Sequence, residues 1–387
     1  RSSWVTGVQT CALPIYRARE INAADILNFT VGEPDFTTPG RIAAVACECI
    51  QSGMSKYTPN SGIDEFKEAI AEKFSKTLHP INSRTEVLIT IGASEAIFTA
   101  MMTVLNPGDE IIIPSPAWTN YDGQVKIVRG IHKPVITSEE NNFIPTAEQI
   151  ASQIGPKTKM LLLNSPNNPT GKEIPTDELK KIAEVAINHD LIVISDEVYK
   201  TIRYSESPYV SIASLPGMAE RTIVVDSLSK AFASPGWRVG YAIGPEWLMK
   251  NMPKTHDCTV TGVCAPFQYA GAYALRNCDR EAREMRDKFL ERRNFLISKI
   301  REIRGLKYFE PDGAFYLWIS IKDLKIPSED FCFGLLAKEH MAIVPGSGFG
   351  AAGEGYIRFT YATGIDKLAE GRSEEHTSEL QSPSWIS

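Results

Sequence analysis

The residues best suited to chemistry in this chain stand directly after short apolar runs. Asp196-Glu197-Val198-Tyr199 follows the run Leu191 to Ser195. Ser227-Leu228-Ser229-Lys230 follows Thr222 to Val225, with Arg238 eight residues beyond Lys230. Asn164 to Gly171, reading NSPNNPTG, follows Met160 to Leu163, and Gly92-Ala93-Ser94-Glu95-Ala96 follows Val87 to Thr90. A lysine amine attacks carbonyl carbons and becomes a general base once its pKa is lowered. Amides at the start of a helix, with hydroxyls and a guanidinium beside them, hold a phosphate. Arg358 lies inside the apolar run Tyr356 to Tyr361, where an arginine is costly to bury. That placement points to an anionic ligand.

These groups need a scaffold that gathers the ends of the runs. From about residue 85, β-rich apolar runs alternate with amphipathic stretches: Val87–Thr90, Glu110–Ile113, Met160–Leu163, Leu191–Ser195, Thr222–Val225 and Val239–Ile243. Thr176 to Asn188 is apolar at Leu179, Ile182, Ala183, Ala186 and Ile187, a helical spacing, with Thr176 and Asp177 as its expected N-cap. Continuous apolar strands between helices predict an α/β fold, with a mostly parallel sheet sandwiched by helices. Ligands of such sheets bind at the carboxyl ends of the strands. The pattern then changes. Asp279 to Arg304 reads as one long charged helix, and Gly313–Ile319 and Tyr356–Tyr361 read as strands of a smaller α+β domain.

Pyridoxal 5'-phosphate asks a protein for a Schiff-base lysine and a carboxylate at the pyridine nitrogen. It also asks for donors at the ring oxygen and a phosphate cup. All four stand at strand ends here. The chain further resembles the class I/II aminotransferases of fold type I, aspartate/aromatic aminotransferase-like. The likeness runs from about Ile26 to Ala362 and rests on FTVGEPDFTTP, KYTPNSGIDEFKEAI, IGASEAI, LLLNSPNNPTG, ISDEVY, SLSKAFASPGWRVGY, PDGAFY, VPGSGFG and EGYIRFTYA in that order. The resemblance implies Lys230 as Schiff-base lysine and proton shuttle, and Asp196 as partner of the pyridine nitrogen. It implies Tyr199 and Asn168 at the ring oxygen and Trp118 stacked on the ring. Ala93, Ser94, Ser227, Ser229 and Arg238 would hold the phosphate. Tyr57 would reach the phosphate of a neighbouring subunit, which makes the expected assembly a homodimer with shared active sites. Arg358, helped by the Gly32 backbone and Asn168, would grip the substrate carboxylate. The implied reaction moves an amino group from an L-amino acid to a 2-oxo acid such as 2-oxoglutarate. The alternatives are a β-lyase or synthase on the same fold and the cofactor-sensing domain of a transcription regulator.

Composition narrows the field further. A net charge of -6 argues against nucleic-acid and anionic-membrane partners. No run is long enough to span a bilayer. The seven cysteines show no metal spacing, and Cys47 and Cys49, in a CxC, are expected to be buried free thiols in a reducing cytoplasm. The two ends, 1–15 and 372–387, resemble translations of a sequencing adapter in opposite orientations, so the natural segment is expected to run from about Tyr16 to Gly371. The expected division is 16–51 as the N-terminal part of the small domain, 52–285 as the large cofactor-binding domain, and 286–371 as the C-terminal part of the small domain.

Overall fold

The structure is a computed structural model, and it describes residues 26–370. The adapter-like ends lie outside the described residues. β1 (Leu27–Asn28) opens the described chain. Seven strands then build a large sheet: β2 (Val87–Thr90), β3 (Glu110–Ser115), β4 (Ile131–Ile136), β5 (Thr158–Asn164), β6 (Ile192–Asp196), β7 (Thr222–Ser227) and β8 (Gly240–Ile243). Their spatial order is β2-β8-β7-β6-β5-β3-β4. Only β8 runs against its neighbours, pairing antiparallel with both β2 and β7. The mostly parallel sheet anticipated from the apolar runs is therefore present.

Both faces of this sheet are covered. The consecutive residues Leu88 and Ile89, Ile111 and Ile112, Leu161 and Met160, and Val193 and Ile194 all have no exposed surface. Consecutive strand side chains point to opposite faces, so apolar residues at every position require helices on both sides. The helices Gly92–Val104 and Met252–Thr259 contribute Ala96, Ile97, Ala100 and Met252 to one layer. Thr176–Asn188 contributes Leu179, Ile182, Ala183 and Ala186 to another. The isoleucine, leucine and methionine side chains among these each contribute roughly 1.5–3 kcal/mol on full burial.

Four later strands form a second, smaller sheet. Its strands are β9 (Lys307–Phe309), β10 (Tyr316–Ser320), β12 (Val344–Pro345) and β13 (Tyr356–Thr360), in the order β12-β13-β10-β9 and all antiparallel. β11 (Met341–Ala342) pairs in parallel with β1. One apolar cluster joins this region to the large sheet: Phe29, Val198, Tyr199 and Ile202 pack with Phe315, Tyr316 and Phe359.

Four local expectations need correction. β4 was not anticipated, because its sequence IHKPVI has no apolar run; it is an edge strand, where Pro134 costs no interior hydrogen bond. Thr176 is the first helical residue and Pro175 holds the cap position, so Thr176 makes no capping bond. The charged helix ends at Ile300, and turns carry the chain on to Gly305, whose φ is +83°. Cys47 is exposed on the helix Gly40–Gln51, whereas Cys49 is buried as expected.

Candidate active site

At the carboxyl edge of the large sheet lies a cavity of about 520 Å³. The parallel register brings its walls together. Asn164 at the end of β5 stands opposite Asp196 at the end of β6. Gly240, entering β8 from the same edge, stands between Thr90 of β2 and Ser227 of β7. Lys230 sits on the short helix Leu228–Ala231 directly after β7. Gly32, Ala93, Ser94, Trp118, Asn168, Asp196, Tyr199, Ser227, Ser229, Lys230, Arg238 and Arg358 all line the cavity. Tyr57 does not, and it is 91% exposed.

The charged groups are held in unusual states. Asp196 is 4% exposed. Tyr121 donates its hydroxyl proton to Asp196 Oδ2 at 2.5 Å, and the Val198 N–H reaches Oδ1 at 3.3 Å. Burial pushes this carboxyl up to about 6; the Tyr121 and Val198 bonds oppose the rise, and the charges of Asp226 and Glu197 add to it. The nearby Lys200 is engaged elsewhere, 3.0 Å from Asp226 and 3.3 Å from Glu197. Among the described residues no cation pairs with Asp196. Lys230 Nζ donates to the Gly32 carbonyl. Burial lowers this amine to about 8; Glu33 and Asp196 pull it up, and Arg358 and Arg238 push it down.

Arg358, 7% exposed, enters from β13. It donates from Nη1 to Asn168 Oδ1 at 3.0 Å and from Nη2 to the Thr30 carbonyl at 2.6 Å. Its buried Nε has no protein partner. The guanidinium lies 4.5 Å from the Tyr316 ring centre and 5.0 Å from that of Phe349. It therefore meets neutral acceptors and aromatic faces and has a donor to spare, which suits a carboxylate ligand.

The opposite end suits a phosphate. The helix Gly92–Val104 begins with Gly92 at φ +74°, and a Cβ there would fall 2.6 Å from Arg238 Nη2. A Cβ on Gly240 would fall 2.4 Å from the Gly92 carbonyl carbon and 2.5 Å from the Ala93 nitrogen. Both glycines let the strand, the helix start and the guanidinium converge. Arg238 itself is in the left-handed region at φ +55°, with Nη1 on the Pro235 carbonyl at 3.0 Å. The cavity thus gathers helix-start amides beside one arginine, a buried carboxylate, an amine and a second arginine. That donor set fits pyridoxal 5'-phosphate together with an amino acid.

Among the lining residues not singled out from the sequence, three make hydrogen bonds that organise the site. Tyr121 anchors Asp196. Tyr316 shares a hydroxyl–hydroxyl bond of 2.8 Å with Tyr199, and a Cβ on Gly32 would fall 2.7 Å from its oxygen. Asn164 donates to the Asp196 carbonyl at 3.0 Å and accepts the Asn168 N–H at 2.8 Å. Signals for them existed: Tyr316 ends PDGAFY, Asn164 opens NSPNNPTG, and Tyr121 lies one helical turn beyond Trp118.

Known proteins resemble this chain in sequence and fold. Residues 24–370 match the family described as Aminotransferase class I and II. An aspartate aminotransferase of Pyrococcus abyssi is 40% identical over 349 residues, 89% of this chain and 90% of that protein. An aromatic-amino-acid aminotransferase of Thermococcus litoralis is 40% identical over 348 residues, 89% of each chain. Among solved structures, an aromatic aminotransferase from Pyrococcus horikoshii has a TM-score of 0.90 at 37% identity, covering 96% of this chain and 100% of that one. An aspartate aminotransferase from Thermus thermophilus with maleate has a TM-score of 0.90 at 33% identity, covering 97% and 98%.

Proposed function

Since the chain belongs to the aminotransferase class I and II family, a family of pyridoxal 5'-phosphate enzymes that move amino groups from amino acids to 2-oxo acids, we propose how its own residues divide that work. The observation that carries the reading is the buried Asp196 carboxylate, which faces the cavity with no cation paired to it among the described residues. When bound, the cofactor supplies an aldehyde carbon to carry the amino group and a protonated ring that withdraws electrons from the substrate Cα.

Asp196 holds the proton on the ring nitrogen, and Tyr121 fixes the carboxylate that does so. Lys230 Nζ would hold the cofactor's aldehyde carbon, and as a free amine it would move the substrate Cα proton; burial supports this by lowering its pKa toward the working pH. Arg358 binds the α-carboxylate, with Asn168 and the Gly32 backbone completing that end. Tyr199 and Asn168 would donate to the ring oxygen, and Trp118 would cover the ring face. Ala93, Ser94, Ser227, Ser229 and Arg238 hold the phosphate. We assign 2-oxoglutarate as the acceptor and residues 52–285 as the cofactor-binding domain.

We also propose a cytoplasmic homodimer. Tyr57 is exposed and outside its own cavity, which suits a residue that serves the other subunit's site. The six described cysteines are all free, which suits a reducing compartment. Among the described residues no helix is long and apolar enough to cross a membrane.

The test is a half-reaction. Single L-amino acids are added to the holoenzyme, and absorbance follows conversion of the aldehyde cofactor to its amine form. 2-Oxoglutarate should reverse the change. Failure of every L-amino acid to convert the cofactor would overturn the reading.

A further inference from the structure

We infer that His256 is a positioning residue for the phosphate end of the site, acting through Glu95. The inference rests on the assignment of Ala93 and Ser94 to the cofactor phosphate. Glu95 lies in the first turn of the helix Gly92–Val104, one residue beyond those amides, yet it does not line the cavity. Its oxygens are fully engaged. Oε2 accepts the Ile91 N–H at 3.0 Å, a donor just ahead of the helix that the helix itself cannot satisfy. Oε1 accepts the Thr99 hydroxyl at 2.8 Å and His256 Nδ1 at 3.0 Å.

His256 comes from the helix Met252–Thr259, which packs on the same side of the sheet, and its side chain has no exposed surface. A carboxylate oxygen can only accept, so Nδ1 carries the proton. Nε2 is buried without a partner. An unsatisfied buried nitrogen is unfavourable and calls for an explanation. Here the ring is held through Nδ1 alone, so its one polar contact is spent on orienting Glu95.

What Glu95 orients is the backbone from Ile91 to Ser94. That stretch is fastened at three further points. Thr90 Oγ1 holds the Gly92 carbonyl at 3.1 Å, Arg238 reaches the Ile91 carbonyl at 3.4 Å, and Gln124 Nε2 holds the Ser94 carbonyl at 2.8 Å. His256 and Glu95 supply the only side-chain bond to an amide in this set. They aim the helix start before the phosphate arrives, and preorganised amides bind an anion without paying to order themselves.

The experiment compares the full chain with His256→Leu and His256→Asn. Each holoenzyme is stripped of cofactor, checked for a cooperative melt, and titrated by tryptophan fluorescence with pyridoxal 5'-phosphate and with pyridoxal, which lacks the phosphate. His256→Leu should bind pyridoxal 5'-phosphate about tenfold more weakly, the scale of one charge-assisted hydrogen bond. Its affinity for pyridoxal should not change. His256→Asn places an amide donor near the position of Nδ1 and should recover most of the loss. If His256→Leu does not fold, Glu95→Ala carries the same comparison from the other side of the bond. Unchanged affinity for pyridoxal 5'-phosphate, or an equal loss for both compounds, would overturn the inference. A parent protein that binds both compounds equally would overturn the phosphate assignment itself, and this inference with it.

Discussion

Asp196→Asn should stabilise the cofactor-free protein at neutral pH while abolishing its usefulness as an enzyme. Burial raises the carboxyl from the ordinary aspartate value of about 3.9 to about 6. The folded state therefore binds more protons than the unfolded state between those values, and stability falls as pH rises through that window. At about 1.4 kcal/mol per pH unit, ionised Asp196 costs roughly 3 kcal/mol at pH 7. Asparagine has nearly the same shape and no charge. It can still accept the Tyr121 hydroxyl, but its amide must turn away from the Val198 N–H, so a net gain of about 1–2 kcal/mol is expected. Urea unfolding of both cofactor-free proteins at pH 7 and pH 4.5 measures this. The variant's advantage should be present at pH 7 and shrink or reverse at pH 4.5, where the parent carboxyl is protonated. A variant that is less stable by the same amount at both pH values would refute the reasoning. In the holoenzyme, Asp196→Asn should lose several orders of magnitude in proton abstraction.

Lys230→Met should likewise stabilise the cofactor-free protein at pH 7. The lysine is lowered to about 8, so the parent gains stability as pH rises from there toward about 10.4. Urea unfolding at pH 7 and pH 10 should show the variant's advantage disappearing, and a constant difference would count against it. In the parent holoenzyme, borohydride and peptide mapping should place the cofactor on Lys230; another lysine would overturn the assignment. Arg358→Lys should raise KM for amino acids by roughly 30–100-fold, the loss of a two-pronged bond. Amines without a carboxylate should react no worse than before, and an equal loss for them would exclude the carboxylate role. Gly240→Ala should lower both melting temperature and cofactor affinity, because its Cβ meets the Gly92 and Ala93 backbone at 2.4 and 2.5 Å. Unaltered affinity would show that the helix start tolerates displacement.

The carboxyl ends of the strands were legible because Val, Ile and Leu runs stop where polar motifs begin. That boundary located Asp196, Lys230 and the Asn164–Gly171 segment together. β4 was not legible, since an exposed edge strand needs neither an apolar run nor freedom from proline. Tyr121 and Tyr316 were missed for the opposite reason. Both are buried aromatic residues, and a tyrosine taken by itself in the sequence reads as core. Only the pairing of Tyr121 with Asp196 and of Tyr316 with Tyr199, across 75 and 117 residues of sequence, shows what their hydroxyls do. The His256–Glu95 contact spans 161 residues and gives no local signal at all.

Ser227 and Gly240 form one rung between β7 and β8, so the chain leaves the sheet and returns to it at a single pair of residues. Surface segments ordinarily change length between descendants of one gene with little harm. The stretch 228–239 has no such freedom, because it carries both Lys230 and Arg238 between two pinned ends. An inserted residue must either slip β8 by one rung, turning Tyr241 and Ala242 to the wrong faces, or bulge outward and separate the amine from the guanidinium. Inheritance should therefore allow substitution along this stretch and forbid insertion or deletion. A directed-evolution library built on this protein should vary its letters and leave its length alone.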